Sequence, residues 1–143
     1  MATVSTNYAS PASEVATSKV DRVTNILHWT YGLVPIVAGA DKFANILTDW
    51  SQYLAPVVTN IIPAQTFMMI VGIIEIFAGI AVLVKPKLGS LIVAFWLIAI
   101  AINLLLTGQY FDIAVRDVVM AIGAFSLYLL SSDNTRLITQ RPT

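Results

Sequence analysis

Four apolar runs alternate with short polar segments along the chain, over residues 23–44, 67–84, 88–106 and 112–130. As α-helices rising ~1.5 Å per residue, runs of this length can cross a bilayer core of ~30 Å. The pattern predicts an all-α fold, a membrane-spanning four-helix bundle over residues 23–130. A polar N-terminal tail (1–22) and a polar C-terminal tail (131–143) frame it. Pro35 lies within the first run, where it removes a backbone hydrogen bond and is expected to bend the helix. The longest connection, 45–65, contains Pro56 and Pro63, which interrupt any continuous helix, and Trp50 and Tyr53, which suit the headgroup region. One or two short helical turns at the membrane interface are expected there. Lys85-Pro86-Lys87 makes a tight basic turn between the second and third runs, and Gly108 breaks the helix between the third and fourth.

The polar exceptions inside these runs carry whatever chemistry the chain has. Glu75 lies near the middle of the second run, with Gly72 three residues before it and Gly79 four after. At 100° per residue these three share one helical face. A carboxylate in hydrocarbon costs at least ~2.5–3.5 kcal/mol on insertion scales, so Glu75 needs a partner inside protein or water. The glycines let a neighbouring helix come close on the same face. Gly32 and Gly39, seven residues apart, mark a similar packing face on the first run. Alternating the direction of four spans brings Asp41, Lys42, Asn103, Arg116 and Asp117 to the half of the bundle that also holds Glu75. These six residues form the expected buried polar cluster. Arg116, which shares a face with Gly123, is the favoured counter-ion of Glu75 for its two-pronged carboxylate geometry, with Lys42 as the alternative.

Charge sets the expected orientation. Four spans place both termini and the 85–87 turn on one side, gathering Lys19, Arg22, Lys85, Lys87, Arg136 and Arg141. The other side has no Lys or Arg in its loops proper, so the positive-inside rule predicts cytoplasmic termini. Residues 1–19 show neither the basic nor the apolar segment of a secretory signal and are expected to remain as a disordered or loosely helical tail.

Composition narrows the function classes. The chain has 143 residues, of which 57% are hydrophobic and only 11% charged, against about 25% charged in soluble domains, which points to a membrane protein. With a formal net charge of zero it has no basic excess for nucleic acid. The absence of cysteine excludes disulfides, thiolate catalysis and iron–sulfur or zinc–cysteine ligation, and no metal site is predicted. His28 is the single histidine, which excludes bis-histidine haem within one chain; beside Trp29 and Tyr31 it reads as an interfacial anchor. Trp50, Tyr53 and Tyr110 read as interface-belt aromatics and Met68 and Met69 as packing residues. No catalytic motif is visible. Three readings of the polar cluster stay open: an ion pair that fixes helix register, a site for a small polar or quinone-like headgroup, and a proton or solute path.

Two short motifs suggest a family. Tyr31 to Phe43 ends in Gly39-Ala40-Asp41-Lys42-Phe43, which resembles the Gly-x-x-Lys-hydrophobic close of the first helix in DoxX-like membrane proteins. From Gly72, GIIEIFAGIAVLV resembles that family's Gly-x-x-Glu followed by a small residue and an aliphatic run, and Arg116-Asp117 resembles the polar pair near the start of its fourth helix. Where relatives often carry an arginine at the start of the first helix, this chain has His28-Trp29. The resemblance covers the four runs and implies a four-helix fold in a bacterial inner membrane. It further implies an accessory subunit of a membrane complex, quinone-linked and redox-associated in some relatives, and at most an accessory part of an oxidoreductase. Lys42, Glu75, Arg116 and Asp117 are the residues it singles out. No cofactor is predicted, although a quinone would suit. The expected partners are the lipid bilayer and either further copies of the chain or a larger membrane complex. A small solute or proton transporter using Glu75 is the rival reading.

Overall fold

Prolines mark where the helices begin in the computed structural model, which describes residues 11–139 and the side chains of 14–132. Helix α1 (Pro11–Ala44) starts at one; α2 (Pro56–Thr59), a single turn, and α4 (Pro86–Leu106) each carry proline in the first turn. Pro63 stands at the N-cap of α3 (Ala64–Val84), and α5 (Phe111–Thr139) completes the order. Proline suits these places because the first helical N–H groups have no intrahelical partner to lose. A 3-10 turn, Trp50–Tyr53, precedes α2. Helix α1 ends at Asn45, whose φ of 50° is left-handed, and Gly108 reverses the chain between α4 and α5 at φ 71°.

Two helices run further than the apolar pattern suggests. Residues 11–22, expected as tail, form the first turns of α1, and residues 131–139 continue α5. Polar residues with fair helix propensity extend a helix readily once a nucleus exists, and apolar patterning says nothing about where such an extension stops. Helix α1 also continues through Pro35. Residues 1–10 and 140–143, including Arg141, lie outside the described residues.

Three helices are long and apolar enough to cross a membrane: Ala64–Val84, Pro86–Leu106 and the Phe111–Ser132 part of α5, with hydropathy 2.6, 2.4 and 1.8. Helix α1, expected as the first of four spans, is not among them. Asn25, His28, Tyr31, Asp41 and Lys42 dilute its apolar character. The three helices keep apolar faces outward, with Phe77, Phe95, Val119 and Ile122 all well exposed. A continuous apolar exterior of this kind is stable against lipid and not against water.

Helix α1 packs along α3, α3 meets α4, α4 packs along α5, and α5 returns to α1. The closest approach is between α1 and α3, through the two glycine pairs. A Cβ added at Gly39 would lie 2.5 Å from the carbonyl oxygen of Gly72, and one at Gly72 would lie 2.6 Å from that of Gly39. Gly32 and Gly79 form the second contact, where a Cβ at Gly79 would lie 2.5 Å from the Gly32 oxygen. Both glycine faces are therefore consumed between two helices of one chain and are not free to join copies of it. Towards the end holding the 85–86 turn, Ala78, Val82, Val93, Ala94, Ala124 and Leu127 form a buried apolar cluster flanked by Leu27, Tyr31 and Leu97. A smaller cluster, Ala101, Leu104 and Ala114, lies towards the other end beside Tyr53 and Tyr110.

Candidate functional site

In an α-helix the Cα–Cβ bond tilts towards the N-terminus, so a residue three positions after a glycine reaches back over it. Lys42 follows Gly39 at this spacing and Glu75 follows Gly72. Because α1 and α3 are antiparallel and touch at those glycines, the two side chains converge from opposite directions. Lys42 Nζ donates to Glu75 Oε2 at 2.6 Å, with the side chains 4% and 8% exposed. Lys42 Nζ also lies 3.8 Å from the centre of the Trp50 ring, so its charge is met by a carboxylate and a π face. Arg116, the favoured partner, is not within ion-pairing distance of Glu75. It sits on the exposed flank of α5, where its neighbour Asp117 takes the inward position.

Two further members of the expected cluster hold the loop. The Asp41 carboxylate accepts from the backbone N–H of Ile46 at 3.0 Å and of Leu47 at 3.1 Å, and from Trp50 Nε1 at 2.7 Å. It thus organises the chain that leaves α1 and fixes the indole over Lys42. From the other side, Asn103 on α4 accepts from the Ala55 N–H at 3.1 Å and donates to the Tyr53 carbonyl at 2.7 Å. Leu54 and Ala55 between these bonds are buried. Tyr53 meets Tyr110 edge-on, ring centres 4.8 Å apart. These aromatics, read from sequence as an interface belt, are turned inward as the walls of a lid.

Under the lid is a cavity of about 600 Å³. Its wall includes Lys42, Glu75, Asn103, Arg116 and Asp117, while Asp41 acts from behind Trp50 and does not line it. The rest of the lining is largely apolar, with Val71, Ile100, Leu104 and Ile113 among its residues. Two further polar groups, on Asp117 and Trp96, lie at this space. Asp117 is 7% exposed, with the Arg116 guanidinium near it. Trp96, on α4, sets its indole N–H against the Glu75 carboxylate. Trp96 escaped the reading of the sequence because a tryptophan in an apolar run carries no positional signal beyond hydrophobicity. Among the described residues no group of three His, Asp or Glu side chains is arranged to hold a metal.

His28 works elsewhere. Its Nε2 lies 3.1 Å from the Val82 carbonyl oxygen and 3.3 Å from that of Leu83, so this nitrogen carries the proton and donates to the last turn of α3. Those carbonyls lack intrahelical partners, and the ring supplies one. On the α1–α5 side, Tyr31 Oη donates to the Met120 carbonyl at 2.7 Å, in the space left by Gly123.

No protein-family model, curated protein or solved structure matches the chain.

Proposed function

We propose that the chain is a DoxX-like integral membrane protein, with α1 as a fourth span completing a bundle, that serves as an accessory subunit of a membrane complex. Its cavity accepts the headgroup of a lipid-soluble molecule of the quinone type. The observation that carries this reading is the composition of the cavity wall: a largely apolar surface with a few convergent polar groups, at a depth where ionisable residues are functional by default. The gathering of Arg22, Lys85 and Lys87 around one cleft at the opposite end supports cytoplasmic termini. A bacterial inner membrane is the setting the resemblance implies.

The transport reading is less well supported. A route past Glu75 would have to continue through the apolar cluster centred on Val82, Ala124 and Leu127, each 0% exposed. Proton or solute flux in liposomes that is lost in Glu75→Gln would restore that reading. The direct test of the proposal is purification in mild detergent, followed by mass spectrometry of the lipophilic molecules and proteins that accompany the chain. Recovery of a stoichiometric headgroup-bearing lipophile and a larger membrane partner is expected. A chain that arrives alone, with only bulk phospholipid, overturns the proposal.

A further inference from the structure

The cleft at the other end of the molecule gathers three cations. It measures about 1380 Å³ and lies between the first turns of α1, the 85–87 turn and the α5 residues Tyr128 and Ser131. Along α1, Glu14, Ser18, Asp21, Asn25 and His28 recur at alternating steps of four and three, so one polar face of the helix looks into it. His28 fixes the depth, because its Nε2 meets the carbonyls of Val82 and Leu83 in the last turn of α3. Arg22 stands six residues before that contact, ~9 Å along the helix, and Lys85 two residues beyond Leu83. Lys87 follows across Pro86. Arg22, Lys85 and Lys87 all line the cleft, and among the described residues none of them is within ion-pairing distance of a carboxylate. Lys42, by contrast, has its acid.

Position decides what kind of anion can reach them. Helix α3 ends at Val84 and α4 begins at Pro86, so the turn between two helices of spanning length lies where a bilayer gives way to water. Lys85, at the N-cap of α4, offers its first N–H groups no side-chain acceptor. The lining is not polar throughout. Leu88 and Leu91 belong to it, and Leu88, Ile92 and Phe95, at steps of four and three, continue as an exposed apolar stripe along α4. A cation cluster that opens on such a stripe fits a molecule with an anionic head and a hydrocarbon tail, whereas a free ion gains nothing from the stripe. Glu14 and Asp21 also line the cleft, so its three basic and two acidic side chains leave one positive charge. One phosphodiester matches that charge, and a zwitterionic head brings no net charge to meet it.

We infer that this cleft is a binding site for an anionic glycerophospholipid, whose phosphodiester is held among Arg22, Lys85 and Lys87 while an acyl chain lies along Leu88, Ile92 and Phe95. The three basic groups act as charges on long, flexible stems, so holding the head does not require them to converge on one oxygen. The site lies at the opposite end of the bundle from the cavity beneath the lid, and it stands or falls independently of the ligand proposed there.

The test titrates the full chain in an uncharged detergent with phosphatidylglycerol and phosphatidylcholine of the same acyl chains, and counts bound lipid by native mass spectrometry. The first phosphatidylglycerol is expected to bind at least about fivefold tighter than phosphatidylcholine, the preference that one uncompensated basic charge gives for an anionic head. Lys85→Gln/Lys87→Gln should bring this ratio to about one or below. Lys19→Gln, exposed near the same end but outside the cleft, should leave it within about twofold of the unmodified value. Equal affinities for the two lipids in the unmodified chain overturn the inference, and that comparison decides the matter even if a variant does not fold. A loss in Lys19→Gln as large as in the lysine pair also overturns it, because it assigns the preference to the charge of the whole end. Displacement of the lipid by an equal concentration of glycerophosphoglycerol, the same head without tails, assigns the cleft to a soluble anion and overturns the lipid assignment.

Discussion

Lys42 Nζ and Glu75 Oε2 meet at 2.6 Å inside the protein, each held within a turn of a glycine that has no room for a side chain. Taking either ion out of water is expensive, and their mutual attraction offsets this only while both are present. Lys42→Met or Glu75→Leu alone is therefore expected to destabilise the chain by about 3–5 kcal/mol, since each leaves a buried charge behind. The double substitution Lys42→Met/Glu75→Leu should recover most of that loss or exceed the unmodified protein. Unfolding in detergent, followed by circular dichroism, gives the cycle. Arg116→Ala, at an exposed position, should change stability by no more than about 0.5 kcal/mol.

The contact that positions this pair makes its own demand. At Gly39 an added Cβ meets the Gly72 carbonyl oxygen at 2.5 Å, and the obstructing atom is backbone, which cannot rotate away. Gly39→Ala is expected to cost about 1–3 kcal/mol through forced separation of α1 and α3. Ala40→Leu, one residue along and exposed, should lie within about 0.5 kcal/mol of the unmodified protein. Equal effects at the two positions would contradict the close approach.

Much of the helical fold was legible because apolar run length and proline placement are local signals, and both mark the starts of α3 and α4 within three residues of where they lie. The extension of α1 back to Pro11 was not legible, since those turns bear polar residues that a solvated helix and a tail accept equally. The glycine spacing identified the faces but not their use. Seven-residue spacing permits pairing within a chain or between chains, and only the antiparallel course of α1 and α3 decides it. The partner of Glu75 was misjudged for a related reason. Arginine offers the better carboxylate geometry in isolation, yet rotation of α5 by one residue turns Asp117 inward and Arg116 out. The Gly-x-x-Lys and Gly-x-x-Glu motifs, read as one antiparallel contact, hold the signal that would have selected Lys42. Asp41 and Asn103 are buried or half-buried polar groups as the pattern suggests, but their partners are backbone groups of the loop, which no side-chain pattern reveals.

The lid depends on two anchors from different helices. Asp41 holds its first half through Ile46, Leu47 and Trp50, and Asn103 holds its second through Tyr53 and Ala55. Asp41→Ala is expected to remove about 1–3 kcal/mol of local stability, seen as faster amide hydrogen exchange over residues 45–50 with little change in α4. Asn103→Leu should produce the corresponding increase over residues 53–55. Unchanged exchange in the loop of either variant would show that packing of Leu54 and Ala55 alone holds the lid.

On the α1–α5 side, a tyrosine and a glycine are matched to each other. Tyr31 Oη donates to the Met120 carbonyl at 2.7 Å, and a Cβ at Gly123 would collide with that same hydroxyl. Tyr31→Phe loses one hydrogen bond and should cost about 0.5–1.5 kcal/mol. Gly123→Ala forces the hydroxyl out of place, losing the bond and adding overpacking, for about 1–3 kcal/mol. In the double variant the colliding atom is gone and the nearest ring carbon, Cζ, stands 3.2 Å from the new methyl, a distance that a small tilt of the ring relieves. The two costs should therefore fall short of additivity by about 1 kcal/mol, within the range that touching residues show. Strict additivity in a detergent unfolding cycle would mean that Gly123 is there for some purpose other than to admit the tyrosine.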